Sequence, residues 1–311
     1  MLVLRLVLPG PVNLLLSMLG RPWNIWLGFV PVFTSNDTEL KRDLKTSLGE
    51  TQINPLTLLM EKREEKVLKA SHFVFVHGAM HGAWCWYKVR SHLESTGHKV
   101  SCLDLKSSGI DLSDPNTISS FEEYNKPLFD FMSNLQDDEK VILVGHSMGG
   151  LSLTRSIQEF GNKIHVAVYI CADCGQRLPN KNMDIPRNIW EEGHALGLDK
   201  PPTRLMLKEF QRDFLYHLSP VEDSALASML LRPVPAMERE DVRVDGGGYM
   251  DKVKRVYIKT MKDRLVRPEV QEQLIQMWPP SKVLEIESDH SPFFSAPNQL
   301  INLLFEATAH E

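Results

Sequence analysis

Residues 145–149 read Gly-His-Ser-Met-Gly; the apolar run Val141, Ile142, Leu143, Val144 precedes them and a helical pattern with Leu151, Leu153 and Ile157 follows. A strand that turns sharply into a helix with a serine at the bend is the setting of a nucleophile elbow, where strained backbone thrusts the serine Oγ above the sheet. Ser147 is therefore the candidate nucleophile. So tight a bend brings backbone segments together and leaves no room for side chains two positions either side, which accounts for Gly145 and Gly149.

A serine hydroxyl attacks well at neutral pH only when an imidazole accepts its proton, and that imidazole needs a carboxylate to set its tautomer and stabilise its cation. The chain order expected with an elbow of this kind is serine, acid, histidine. His290 lies in the run Glu285, Ile286, Glu287, Ser288, Asp289, His290, Ser291, just past the last predicted strand, and can sit at the same sheet edge as Ser147. Of the other histidines beyond Ser147, His165 falls within a strand, His194 and His217 in an insertion, and His310 at the tail. For the acid, Asp263 is chosen because it comes a few residues beyond the fifth strand. Asp173, after the fourth strand, is its main rival, and Asp289 adjoins His290, where neighbouring side chains point apart. Two backbone N–H groups are placed to hold an oxyanion: that of Met148, just after the serine, and that of Ala79, in the glycine-containing loop His77, Gly78, Ala79, Met80, His81, Gly82 after the first strand. Such donors are worth about 3–4 kcal/mol each to acyl transfer.

These groups need a scaffold that gathers them at one edge. Strands are predicted at 72–76, 99–105, 141–144, 164–172, 255–260 and 282–287, alternating with helical segments. That alternation defines an α/β fold with a mostly parallel central sheet and helices on both faces. The interval at about 175–250 is rich in Pro, Met and Leu, including Pro201, Pro202, Met206, Met229 and Leu230, with a helical stretch at 220–231. It reads as a cap insertion over the carboxyl ends of the strands, where open α/β sheets bind ligands, and an apolar cap of this kind can also serve a homodimer contact.

Composition narrows the partners. Across 311 residues the chain is 42% hydrophobic and 24% charged, with a net charge of -5. It offers no basic patch to neutralise phosphates, so nucleic acid is not expected and a small-molecule substrate is. Cys85, Cys102, Cys171 and Cys174 are too few and too irregular for a disulfide framework, and the pair at 171 and 174 ends a buried-type strand without further ligand-spaced residues. No metal and no cofactor are expected. Residues 1–70 differ from the rest: 1–36 carries no acid, and Arg5, Arg21 and several prolines break its apolar stretches before they reach a spanning length. This part reads as a weakly ordered extension and a possible targeting segment of poor signature, on an otherwise cytoplasmic chain; residues 71–311 form the catalytic domain.

The runs at 72–88, 97–105, 108–111, 139–147 and 253–258 together resemble the plant methylesterase family, over about residues 71–308. That family contains the methyl salicylate, methyl jasmonate and methyl indole-3-acetate esterases and the plant hydroxynitrile lyases. The blocks at 106–111, 231–235, 257–260, 278–281 and 287–295 resemble its methyl indole-3-acetate esterase branch. The resemblance implies an α/β-hydrolase fold with a helical cap, a triad of Ser147, Asp263 and His290, and oxyanion donors Ala79 and Met148. His146 is expected as a substrate contact. The lyases carry threonine where Gly78 stands, glutamate where His146 stands, and, where Ser291 stands, a lysine that stabilises departing cyanide. The sequence thus favours a cofactor-free methylesterase for hormone esters, methyl indole-3-acetate first and jasmonate or salicylate second. The alternatives are a hydroxynitrile lyase-like enzyme and a non-turnover hormone receptor.

Overall fold

The computed structural model describes residues 70–175, 187–193, 203–235 and 247–309, together with the backbone of three short strands nearer the N-terminus. The chain divides into two units, Met1–Val67 and Leu68–Glu311. In the first, β1 (Val3–Leu6), β2 (Leu14–Ser17) and β3 (Val30–Pro31) pair antiparallel in that order. The rest of the expected extension, including the charged run at 61–69, lies outside the described residues.

In the second unit the chain runs β4 (His72–Val76), α1 (Tyr87–Ser95), β5 (Lys99–Leu103), α2 (Phe121–Ser133), β6 (Val141–His146), α3 (Gly149–Phe160) and β7 (Ile164–Ile170). After the insertion come β11 (Lys254–Thr260), α6 (Pro268–Met277), β12 (Lys282–Ile286), α7 (Pro292–Ser295) and α8 (Pro297–Thr308). Six strands form one sheet in the order β12-β11-β7-β6-β4-β5, every neighbouring pair parallel. Every residue of β4 and β6 is buried, as strands covered on both faces must be, and their β-branched and aromatic side chains suit that setting. Helix α1 packs with α8, and α2 with α3. All six predicted strands are present, with ends shifted by two residues or fewer.

The strand order reverses between β4 and β6, because the chain leaves β4 for β5 on one side and returns to β6 on the other. Such a switch point opens a crevice at the carboxyl ends of the strands. The loops after β4 and β6, carrying Ala79 and Ser147, flank that crevice.

The insertion contains helices α4 (Lys208–Leu215) and α5 (Val221–Leu230), the second within the stretch read as helical at 220–231, and also a small antiparallel sheet of β8 (Trp190–Gly193), β9 (Thr203–Met206) and β10 (Val234–Pro235). Four-residue strands containing two glutamates or an arginine have too little β character to read locally; they exist because distant segments pair.

Candidate active site

Ser147 follows directly on β6 with φ of 52°, a left-handed backbone that costs a residue with a side chain about 1–3 kcal/mol. Three backbone hydrogen bonds hold it there: Ser147 N–H donates to Ile170 O, while Asp173 N–H and Gly150 N–H donate to Ser147 O, each at 3.1 Å. The flanking glycines answer to crowding. A Cβ at 145 would stand 2.5 Å from Leu153 Cδ1 and 2.8 Å from Gly149 O, and one at 149 would stand 2.7 Å from His77 O. Gly150, given no part by sequence reading, is tighter still, since a Cβ there would meet Asp173 O at 2.2 Å. The backbone is thus bent where half-buried Ser147 follows the carboxyl end of β6.

His290 follows β12, and Asp263 follows β11. His290 Nδ1–H donates to Asp263 Oδ2 at 2.7 Å, and both side chains are buried. Asp263 accepts three further bonds, from Thr260 Oγ1 at 3.0 Å and from Leu265 N–H and Val266 N–H at 2.8 Å each. A carboxylate accepting from four donors is fixed in orientation, and with Nδ1–H engaged the imidazole lone pair lies on Nε2. Thr260 is itself held by buried Gln271, whose Nε2 donates to Thr260 Oγ1 at 3.0 Å and whose Oε1 accepts Thr260 N–H at 3.0 Å. Of the rival acids, Asp173 accepts Gly175 N–H at 3.0 Å, and Asp289 turns toward the insertion, where it accepts Ser219 N–H at 2.8 Å.

The loop after β4 is organised by two buried imidazoles. His77 Nδ1–H donates to Gly78 O at 2.8 Å, and Leu105 N–H donates to His77 Nε2 at 3.2 Å. Burial pulls the His77 pKa down, so the ring is neutral, with one donating and one accepting nitrogen as these partners require. Gly78 O and Ala79 N–H belong to one planar peptide unit, so pinning the carbonyl aims the N–H the opposite way. His81 N–H reinforces that carbonyl at 3.3 Å. Ala79 and Met148, the expected donors, are both half-buried at the crevice loops.

His146 departs from its expected place. It is fully buried, with no surface for a ligand to touch, and its Nε2–H donates to His290 O at 2.7 Å. Burial, then the neighbouring His290 and His81, hold its pKa well below the ordinary histidine value. It is a neutral brace beneath the His290 loop. It also explains Gly78: a Cβ there would lie 2.8 Å from His146 Nδ1 and 2.9 Å from Ser147 Cβ.

Among the described residues, His146, Cys171 and His290 bring three potential metal-binding atoms within 4.8 Å of one another. One atom of each is engaged internally, His290 Nδ1 with Asp263, His146 Nε2 with His290 O, and Cys171 Sγ with His290 O at 3.6 Å, while His146 Nδ1 is buried without a hydrogen-bond partner. Burial raises the Cys171 pKa well above the usual thiol value, which keeps it a protonated and poor ligand. Sequence reading gives no part to His77, His81, Thr260 or Gln271. His77 and Thr260 stand at the ends of apolar strands, which is a weak local signal, whereas Gln271 lies within α6 and carries none.

The chain belongs to the alpha/beta hydrolase family, which it matches over residues 73–303. It is 42% identical over 269 residues to Methylesterase 17 of Arabidopsis thaliana, across 80% of this chain and 98% of that protein. It is 45% identical over 253 residues to the pheophorbidase of Raphanus sativus, across 76% of this chain and 94% of that one. The crystal structure of the Arabidopsis methylesterase MES16 superposes with a TM-score of 0.70 at 44% identity, covering 76% of this chain and 98% of the other. Within the larger family the chain is therefore a plant methylesterase, by class a carboxylic ester hydrolase. No helix among the described residues is long and apolar enough to cross a membrane.

Proposed function

We propose that the protein hydrolyses the methyl ester of a small carboxylic acid through an acyl-enzyme, with Ser147 as nucleophile, His290 as general base and acid, and Asp263 as its orienting carboxylate. The observation that carries this is the 2.7 Å bond from His290 Nδ1–H to a carboxylate that three other donors hold still, in a chain whose serine is bent to φ of 52°. Ser147 Oγ attacks the ester carbonyl as His290 Nε2 takes its proton, and the imidazolium is stabilised by Asp263. Ala79 N–H and Met148 N–H receive the oxyanion. His290 returns the proton to departing methoxide, and water, activated by the same imidazole, releases the free acid.

Methyl indole-3-acetate is the first substrate to test, and methyl jasmonate and methyl salicylate the second, on the strength of the sequence blocks at 106–111 and 287–295. The relatives named pheophorbidase and pFDCC methylesterase add chlorophyll-derived methyl esters to the panel. Cyanide release is the less favoured chemistry, because the residue after His290 is buried, uncharged Ser291. Ser147→Ala should reduce methanol release from the preferred ester by about 10⁴-fold or more while the protein stays folded. Wild-type turnover in that variant sinks the assignment. A receptor would show bound ester with no more than a single turnover in the unmutated protein.

A further inference from the structure

The acyl-transfer reading gives the cap one task, which is to enclose the substrate. We infer that the cap turn at residues 216–219 has a second: it clamps the loop carrying Ala79 to the loop carrying His290, and so holds oxyanion donor and base in register. The inference rests on the acyl-transfer reading and adds positioning residues to it.

Three residues of this turn divide between the two loops: Tyr216 reaches the first, Leu218 and Ser219 the second. Tyr216 O–H donates to His81 Nε2 at 2.7 Å, and the same imidazole donates from Nδ1 to Ala79 O at 2.9 Å. Two residues further on, Leu218 N–H, Ser219 N–H and Ser219 Oγ all donate to Asp289 Oδ2, at 2.9, 2.8 and 2.9 Å. Asp289 Oδ1 accepts Ser291 N–H at 3.0 Å, so this one carboxylate spans His290 on the chain and ties its loop to the cap. Tyr216, His81, Ser219 and Asp289 are all buried.

A lid needing only to exclude water would be apolar at this seam. Buried polar groups are costly unless every bond is made, and made bonds are directional, so they fix relative position in a way that apolar packing does not. Burial holds the His81 pKa down to about 3, which keeps the ring neutral, accepting from Tyr216 while donating to Ala79. Displacing the turn breaks both attachments together. Tyr216 and Asp289 touch no reacting atom in this scheme; they act through Ala79 and His290.

The test uses the full chain and p-nitrophenyl acetate, an ester small enough to draw little binding from the cap. Tyr216→Phe keeps the ring and removes one hydroxyl; Ser219→Ala removes one of three donors to Asp289. With melting temperatures confirming folding, Tyr216→Phe should lower kcat about fivefold to tenfold and Ser219→Ala about threefold, each leaving KM within about twofold. Unchanged kcat in both, or a raised KM with kcat preserved, would overturn the clamp and return the cap to enclosure alone. Ser147→Ala run alongside separates the two ideas, since turnover in that variant removes the acyl-transfer reading whatever Tyr216 does.

Discussion

The sheet and the cap differ in how much directed polar bonding supplements their apolar packing. In β4 all five residues are buried, and the strand is secured by apolar contact on both faces. In α5 the pattern is nearly inverted: Val221 is 71% and Met229 80% exposed, while Asp223 is 2% exposed. That buried carboxylate accepts from Tyr87 O–H at 2.7 Å and pairs with Lys88, both on α1. Arg232 adds a second clasp, donating to Gly109 O at 3.2 Å and to Asp111 O. The core is stabilised by area, which is large and undirected; the cap shares in that area through Met206, Leu215 and Ala227 and adds a few directed polar bonds. The first arrangement resists unfolding, and the second sets where one part sits on another.

That contrast can be broken at three levels. In the sheet, Phe75→Ala should cost about 3–5 kcal/mol, because a fully buried ring leaves a cavity its neighbours cannot fill; a denaturant midpoint shift of much less would mean the core is looser than described. Beneath the site loops, His77, His81 and His146 are all buried with lowered pKa values. Each is neutral when folded and binds a proton on unfolding below its unfolded value of 6.5, so stability is lost as pH falls through and below that value. The expected slope is about 1.4 kcal/mol per pH unit for each group, and for His81 the window runs from 6.5 down to about 3. Denaturant unfolding at a series of pH values reads this directly; His81→Gln should shed one group's share, and an unaltered slope would contradict the neutral assignment. On the cap, Lys88→Met leaves Asp223 buried with Tyr87 alone and should cost about 1–2 kcal/mol, Lys88 being partly exposed. The loss should appear as faster hydrogen exchange in α5 with little change in global unfolding; uniform acceleration across β6 as well would show that cap and core open as one unit.

What the sequence by itself determined was whatever short-range pattern encodes. The six sheet strands, the bend at Ser147 and the helix after it follow from apolar runs and glycine spacing, because backbone sterics and burial act over a few residues. The histidine at 290 was legible for the same reason, standing just past a strand end. Three carboxylates could each have served it, and adjacency in the chain argued only against Asp289. The hydrogen bond between His290 and Asp263 joins the ends of β12 and β11, and so depends on how those strands lie side by side. The tertiary structure also decided the place of His146, whose ring is turned beneath the His290 loop by packing that no neighbouring residue foretells. It paired the short strands of the insertion, and it buried Tyr216 and Asp289 against loops more than 60 positions away. Those contacts are set by the closing of the whole chain, where each buried polar group must find a partner from some other part of the sequence.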